Sequence, residues 1–179
     1  MTDDIILQVN NISKCFKIYA NPWHRALEWA HPGKHIYHQP FWALQEISFE
    51  VKRGEFFGII GRNGSGKSTL LKVLAGIYQA DQGQVVVNGL ISPFLELGLG
   101  FNPELSGRDN IYLNATVLGL THKQIDQKFK DIVAFSELER FIDQKLKNYS
   151  SGMQVRLAFS VAIHANRDIL LMDEVLAVG

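Results

Sequence analysis

Gly61-Arg62-Asn63-Gly64-Ser65-Gly66-Lys67-Ser68-Thr69 is the stretch whose residue types and spacing can do chemistry. A glycine, four residues, then Gly-Lys-Ser is the pattern of a phosphate-binding loop. Glycines let the chain curl with its N–H groups inward and let the backbone approach an anion closely. A helix opening near Lys67 adds the positive end of its dipole. Lys67 would bridge the β- and γ-phosphates of a nucleotide, and Ser68 would ligate Mg²⁺. The competing reading is a glycine-rich turn that binds nothing. The flanks weigh against it. Glu55 to Ile60 (EFFGII) has the apolar run of a short buried strand, and Lys67 to Ala75 has the apolar spacing of a helix.

Two further groups of residues fit the same chemistry. Asp168 to Met172 (DILLM) is predicted to form a short buried strand that delivers Asp173 and Glu174. Asp173 can hold Mg²⁺ through a bound water while Ser68 ligates it directly. Glu174 can orient or deprotonate an attacking water. On its own, such a strand end is by default a solvated acidic terminus. Near the N-terminus, Lys14 to Tyr19 (KCFKIY) alternates basic and apolar residues. Phe16 or Tyr19 can stack on an adenine ring, or either can be ordinary strand packing.

The elements that must position these residues are legible in outline. The chain has 179 residues with 46% apolar side chains, enough for a proper core. Formal net charge is +0, which gives no bulk electrostatic case for nucleic acid or anionic lipid. Cys15 is the single cysteine, so no internal disulfide is possible. No run approaches the roughly 18 uncharged apolar residues of a membrane span. Any spanning part is expected from another chain. Ile5 to Val9 reads as a first strand and Leu44 to Val51 as another; Gln84 to Val87 and Ile91 to Leu97 follow, joined by a hairpin-type turn at Asn88-Gly89. Gly98 to Arg108 reads as an irregular loop. Helices are predicted over Asp109 to Leu118, from Thr121 as N-cap to about Val133, and over Gln154 to Ala165.

Asn21 to Trp42 breaks this pattern. It holds Trp23, Trp29 and Trp42, with His24, His31, His35 and His38, and is predicted to be an inserted loop with at most a short helix over Pro22 to Ala30. The spacing His31-x3-His35-x2-His38 raises zinc, but Pro32 and Gly33 oppose a single ligand-bearing helix and no cysteine lies nearby. Exposed aromatics more often mark a contact surface, here with a membrane partner or the lipid headgroup region; packing on the domain is the other reading.

Tyr149-Ser150-Ser151-Gly152-Met153, with Arg156 shortly after, resembles the signature motif of ABC-type ATPases, usually Leu-Ser-Gly-Gly-Gln. The order of phosphate loop, helical lobe, signature helix and carboxylate strand is similar to that family's order over almost the whole chain. Read in isolation, Tyr149 to Met153 is a serine-rich helix cap. The resemblance implies an α/β fold: a P-loop NTPase core of ABC ATPase type with an antiparallel β subdomain and an inserted all-α subdomain. The expected layout is one nucleotide-binding domain over 1–179, with core 1–97 and 154–179, aromatic insertion 21–42 and helical subdomain about 98–153. It implies that two copies sandwich two ATP molecules head to tail, as a homodimer. Ser150, Ser151 and Gly152 would then meet the γ-phosphate gripped by the opposite subunit's Lys67. A helix N-terminus with a serine hydroxyl is chemically suited to that.

Glu96 to Ile111 (ELGLGFNPELSGRDNI) resembles one branch, the ATPase subunits of bacterial polysaccharide exporters for O-antigen, capsule and teichoic acid. Asp173 to Gly179 and the variant signature point the same way. This implies a membrane-spanning permease partner, no nucleic acid, and a place at the cytoplasmic face of the bacterial inner membrane. In the wider family a glutamine sits near Leu97; here Glu96 is the nearest polar side chain. The family's switch histidine lies downstream of the carboxylate strand, beyond Gly179, so the chain is expected to be C-terminally truncated and weakly active or inactive alone. His164 lies on the signature helix and cannot replace it. The alternatives are a soluble ABC ATPase of DNA repair or translation, which would carry long coiled coils or basic extensions, and a GTP switch protein, which would need an Asn-Lys-x-Asp motif.

Overall fold

The computed structural model describes residues 4–30, 36–94, 100–165 and 167–173. The chain divides into two compact units, Met1–Asn88 and Gly89–Gly179.

In the first unit, β1 (Ile5–Tyr19), β2 (His38–Lys52) and β3 (Gln82–Val87) form an antiparallel sheet in the order β2-β1-β3. β1 buries Ile6, Leu7, Val9 and Ile12, and Leu44 and Val51 of β2 join them. The register slips between Val9 and Ile12, where Asn11 has φ 49° and its β2 counterpart region carries Glu46 at φ 50°. Such a bulge frees ladder N–H groups. Hydroxyls take them up: Asn11 N–H donates to Ser48 Oγ at 2.8 Å and Glu46 N–H to Ser13 Oγ at 3.0 Å. Helix α1 (Pro22–Ala30) links β1 to β2, and α2 (Lys67–Leu74) precedes β3. Leu70, Leu71, Val73 and Leu74 of α2 are buried.

Two expectations need correction here. The aromatic insertion is shorter than 21–42, because β1 and β2 stay paired out to Tyr19↔His38; residues 38–42 are strand. Glu55 to Ile60 is not a strand in the described structure, and Ile60 is 99% and Phe56 89% exposed. An apolar run becomes a strand only where a neighbour satisfies its N–H and C=O groups. The three strands of this unit pair with one another and not with 55–60.

In the second unit, β4 (Ile91–Phe94) pairs in parallel with β5 (Ile169–Met172). The Asn88-Gly89 hairpin expectation is therefore wrong: β3 pairs with β1, and β4 with β5. Asn88 instead finishes the first sheet, its Nδ2 donating to Ile5 O at 2.9 Å and its N–H to Ile6 O at 2.9 Å. Between β4 and β5 lie α3 (Gly107–Val117), α4 (His122–Ser136), a single 3-10 turn at Leu146–Asn148, and α5 (Ser151–His164). Their apolar faces meet around Ile111, Ile125, Ile132, Leu138, Leu146 and Leu157, all buried. Each contributes about 1.5–3 kcal/mol by leaving water. Truncating Ile132 to alanine would cost about 2–5 kcal/mol through the cavity left behind.

In the described part of the irregular loop before α3, the buried Asn110 side chain ties the backbone together, alongside backbone bonds from Leu146 N–H to Leu105 O and Lys147 N–H to Pro103 O. Asn110 Nδ2 donates to the carbonyls of Asn102 (3.0 Å) and Ser106 (2.9 Å), and its Oδ1 accepts from Asn102 N–H at 2.7 Å. Three of the loop's backbone groups are thereby satisfied without a sheet or helix.

Candidate functional site

The nine residues Gly61 to Thr69 run into α2 as the sequence predicts. Gly64 has φ 82° and Gly66 φ 95°, left-handed values that favour glycine. A Cβ on Gly66 would stand 2.5 Å from Ala43 O and 3.1 Å from Leu44 Cδ2, so the loop is pressed onto β2. A Cβ on Gly61 would meet Ser65 Oγ at 2.5 Å. Gly66 is the N-cap of α2 and supplies no side-chain acceptor, and the first turn holds no acidic residue. The helix thus opens with N–H groups and a positive dipole end beside an exposed loop. The Lys67 ammonium donates to Gly61 O at 2.8 Å and Arg62 O at 3.2 Å, lying across the loop. Ser68, second in the helix, is exposed with Arg62, Asn63 and Ser65, whereas Thr69 is half-buried. Arrayed N–H groups, an ammonium and a hydroxyl can hold a polyphosphate.

Phe16 is related to this loop through the strand pairing. Ala43, the residue Gly66 rests on, lies between Trp42 and Leu44, which pair with Cys15 and Lys14; Phe16 pairs with Phe41, two residues from Ala43. Two residues of strand span about 7 Å, so Phe41, the partner of Phe16, stands that far along β2 from the Ala43 contact. The Phe16 ring is half-buried, meets Tyr78 edge-on at 5.5 Å, and has Lys14 Nζ 5.6 Å from its centroid. The Asp81 carboxylate accepts from Cys15 N–H at 2.7 Å and pairs with Lys14 at 3.1 Å. The Cys15 amide first, with Lys14 beside it, holds the Asp81 carboxyl below its ordinary range. Tyr19, the other candidate, packs on the His38 ring at 5.7 Å, at the far end of β1.

The second unit presents the serine-rich helix start. Ser150 is the N-cap of α5, its Oγ accepting from Met153 N–H at 3.2 Å, and a serine hydroxyl that accepts still has one O–H to donate. Ser150 and Ser151 are exposed. Around Gly152 there is open space, with Ser150 Oγ at 4.0 Å the nearest atom to an added Cβ. Tyr149, where the usual motif has leucine, is buried and donates its hydroxyl to Phe141 O at 2.7 Å. Burial pushes its phenol pKa up. Its hydroxyl also occupies the space a Cβ on Gly107 would need, so the motif is anchored to the start of α3. That anchoring was not legible in the sequence, although the Tyr-for-Leu departure marks the position. β5 ends at Met172 and Asp173 follows it, half-buried. Glu174, His31, His35 and Glu96 to Leu99 lie outside the described residues.

His38, the remaining member of the zinc spacing, is engaged by a carboxylate: its Nδ1 lies 2.8 Å and 2.9 Å from the two Glu28 oxygens. Among the described residues no group of three His, Cys, Asp or Glu side chains could hold a metal. Taken singly, a serine hydroxyl and a carboxylate are each oxygen donors of the kind Mg²⁺ takes, an ion that uses few protein ligands and completes its shell with phosphate and water oxygens. On α1, His24 and Glu28 turn toward the strands, His24 against the Tyr37 ring at 5.2 Å, while Trp23 is 74% and Trp29 87% exposed. No described helix is long and apolar enough to cross a membrane.

Comparison with known proteins bears on these features together. The family model for the ABC transporter domain matches residues 44–177. The chain is 46% identical over 97% of its length to the ABC transporter protein AbcA of Aeromonas salmonicida, covering 56% of that protein. It is 53% identical over 76% of its length to an O-antigen export system ATP-binding protein of Klebsiella pneumoniae, covering 56% of it. It is 50% identical over 78% of its length to a teichoic acids export ATP-binding protein of Enterococcus faecalis, covering 31% of it. The chain thus spans about half the length, or less, of these relatives. Among solved structures, a dimeric ATP-binding cassette in a post-hydrolysis state with ADP and phosphate superposes with TM-score 0.72 at 21% identity, over 95% of this chain and 74% of that one. The ATP-binding subunit of an ABC transporter does so with TM-score 0.71 at 21% identity, over 95% and 66%. These two share its fold, an α/β domain with an antiparallel sheet and a set of inserted helices.

Proposed function

The chain belongs to the ABC transporter family, and from that premise we propose that it binds and hydrolyses ATP to power export of a lipid-linked polysaccharide through a membrane-spanning permease. The observation that carries the reading is the phosphate loop: glycine backbone in left-handed turns, a helix start without a side-chain cap, and Lys67 lying across it. Relatives named as O-antigen and teichoic acid export proteins support the export branch over DNA repair or translation.

In this reading residues Gly61 to Thr69 grip the nucleotide's phosphates and Lys67 leaves its two loop carbonyls for the β- and γ-phosphates. Phe16 stacks on the adenine. Ser68 and Asp173 would hold Mg²⁺, whose charge would offset that of the phosphate oxygens. Glu174 orients or takes the proton of the attacking water. The protein works as a homodimer in which Ser150, Ser151 and Gly152 of one copy meet the γ-phosphate held by the other. The core is 1–97 with 154–179, interrupted by the helical lobe. Its place is the cytoplasmic face of the bacterial inner membrane, peripheral through the permease, with the outward tryptophans of α1 toward the headgroup region, where indole rings are favoured.

The test is nucleotide selectivity followed by trapping. ATP with Mg²⁺ should raise the melting temperature of the chain more than GTP does. In the protein assembled with its permease, Glu174→Gln should stop turnover and hold two copies together around ATP. Unchanged turnover would remove Glu174 as the base, and equal protection by GTP would remove the adenine reading.

A further inference from the structure

We propose that Tyr78 is a positioning residue for the nucleotide base, because it ties the Phe16 ring to the far end of the phosphate-loop helix. The inference rests on the reading of Phe16 as the adenine platform and adds the part that fixes where that platform stands.

The tie is built from backbone and ring together. α2 ends with Ala75 as C-cap, and Gly76 follows at φ 73°. A left-handed glycine after a helix throws the chain back over its last turn. Here Gly76 N–H donates to Val73 O at 3.0 Å, and both Ile77 N–H (2.9 Å) and Tyr78 N–H (3.1 Å) donate to Lys72 O. The Tyr78 backbone is therefore a rigid extension of α2. Its ring lies 5.9 Å beneath Lys72 Nζ, from the same helix, and meets Phe16 at 5.5 Å with the planes 75° apart. That edge-to-face geometry is one of the two that aromatic quadrupoles favour, and it sets tilt as well as distance.

At its other end, α2 begins at the phosphate loop, pressed onto Ala43 of β2. So one helix carries the phosphate grip at its start and the brace for the base platform at its end. β1 and β2 pair Phe16 with Phe41, two strand residues from the Ala43 on which the same loop rests. Lys14, fixed by Asp81, lies over the Phe16 ring and completes the clamp. Neither Tyr78 nor Lys72 belongs to the phosphate-loop motif. Their role comes from the helix connecting the two subsites.

The experiment compares two ligands on the whole chain: ATP, which has a base, and inorganic tripolyphosphate, which does not. Dissociation constants are measured for the wild-type chain, Phe16→Ala, Tyr78→Ala and Tyr78→Phe. Tyr78→Ala should weaken ATP about three- to tenfold and leave tripolyphosphate unchanged. Tyr78→Phe keeps the ring edge and should match the wild type. If Tyr78→Ala weakens both ligands alike, Tyr78 only supports the fold and the inference fails. It fails too if Phe16→Ala weakens ATP and Tyr78→Ala does not. If Phe16→Ala leaves ATP affinity untouched, the fault lies one step earlier, in the adenine reading of Phe16, and the inference goes with it.

Discussion

Helix α3 closes its own N-terminus, whereas α2 leaves its first turn to the backbone. Ser106 Oγ accepts from Asp109 N–H at 3.1 Å, and Asp109 reaches back to Ser106, a complete capping box. Helix α4 does the same with Thr121 and Gln124. α2 has glycine at its N-cap and no side chain there, and α5 has half a box: Ser150 caps, but Met153 stands where a reaching carboxylate or amide would be needed. In a box, the helix supplies the acceptors its first turn lacks. Where no box forms, donors and dipole remain for something else. Of α2 to α5, the two without boxes are the two that the proposed reaction needs, one for the phosphates of its own nucleotide and one for its neighbour's; α1, which also lacks a box, has its start capped by Asn21 Oδ1 accepting from Trp23 N–H at 3.0 Å.

The strongest way to break this comparison is at α2. Lys67→Ala should lower ATP affinity by about 100-fold or more, since a charge-assisted contact to phosphate goes with the ammonium. Melting without nucleotide should move far less than ATP affinity, because the ammonium is partly exposed and its contacts to the Gly61 and Arg62 carbonyls lie within the loop itself. Calorimetric titration beside a thermal melt checks both; retained affinity would mean the open helix start is not the phosphate grip.

Next come the two glycines, one at each open helix start. Gly66→Ala forces a side chain into a left-handed backbone and against Ala43 O, and should cost about 1–3 kcal/mol as well as ATP binding. Gly152→Ala meets open space, so denaturant midpoints should hardly change while dimer-dependent hydrolysis falls. A stability loss at Gly152 equal to that at Gly66 would make the α5 start a structural cap and no more.

Cap removal sharpens the contrast further. Ser106→Ala, Thr121→Ala and Ser150→Ala should each cost about 1 kcal/mol in denaturant unfolding. Only Ser150→Ala should also slow ATP turnover in the assembled protein. Similar turnover in all three would erase the distinction between closed and open helices.

What the sequence made legible follows from the range of the interactions involved. The phosphate loop, α2, α3, α4 and α5 are set by spacing and capping within a few residues, and their predicted positions agree with the structure to within a few residues. The misses all depend on a distant partner. Glu55 to Ile60 has the composition of a strand, but a strand exists only with a neighbour. β2 starts at His38, inside a stretch of prolines and tryptophans, because Lys17 to Tyr19 offer it a ladder. Asn88-Gly89 looks like a hairpin until β4 pairs with a strand far along the chain. The site divides the same way. Lys67, Ser68 and Ser150 are visible in their motifs, whereas Tyr78 and Asp81 are found only once β1 is laid beside them. Among these, Asp81 carries a signal, as a carboxylate just ahead of the Gln82-Gly83 start of β3, but nothing local tells that it receives the Cys15 amide.

The smallest expected effect lies at that carboxylate. Asp81 has its pKa held below the ordinary 3.8 by the Cys15 amide and then by Lys14. Proton binding is therefore weaker in the folded chain than in the unfolded one. The stability it lends is fully present above about pH 4 and fades as pH falls through the folded value. Because the group is partly exposed and screened, the effect is modest. Urea midpoints of the wild type and Asp81→Asn should differ by a constant amount near neutrality and converge in acid. ATP affinity should fall slightly in Asp81→Asn, since Lys14 would lose its hold over the Phe16 ring, and tripolyphosphate affinity should not. If the two midpoint curves stay parallel down to about pH 2.5, Asp81 is not engaged as the Cys15 and Lys14 contacts require, and the clamp on the base platform rests on Tyr78 alone.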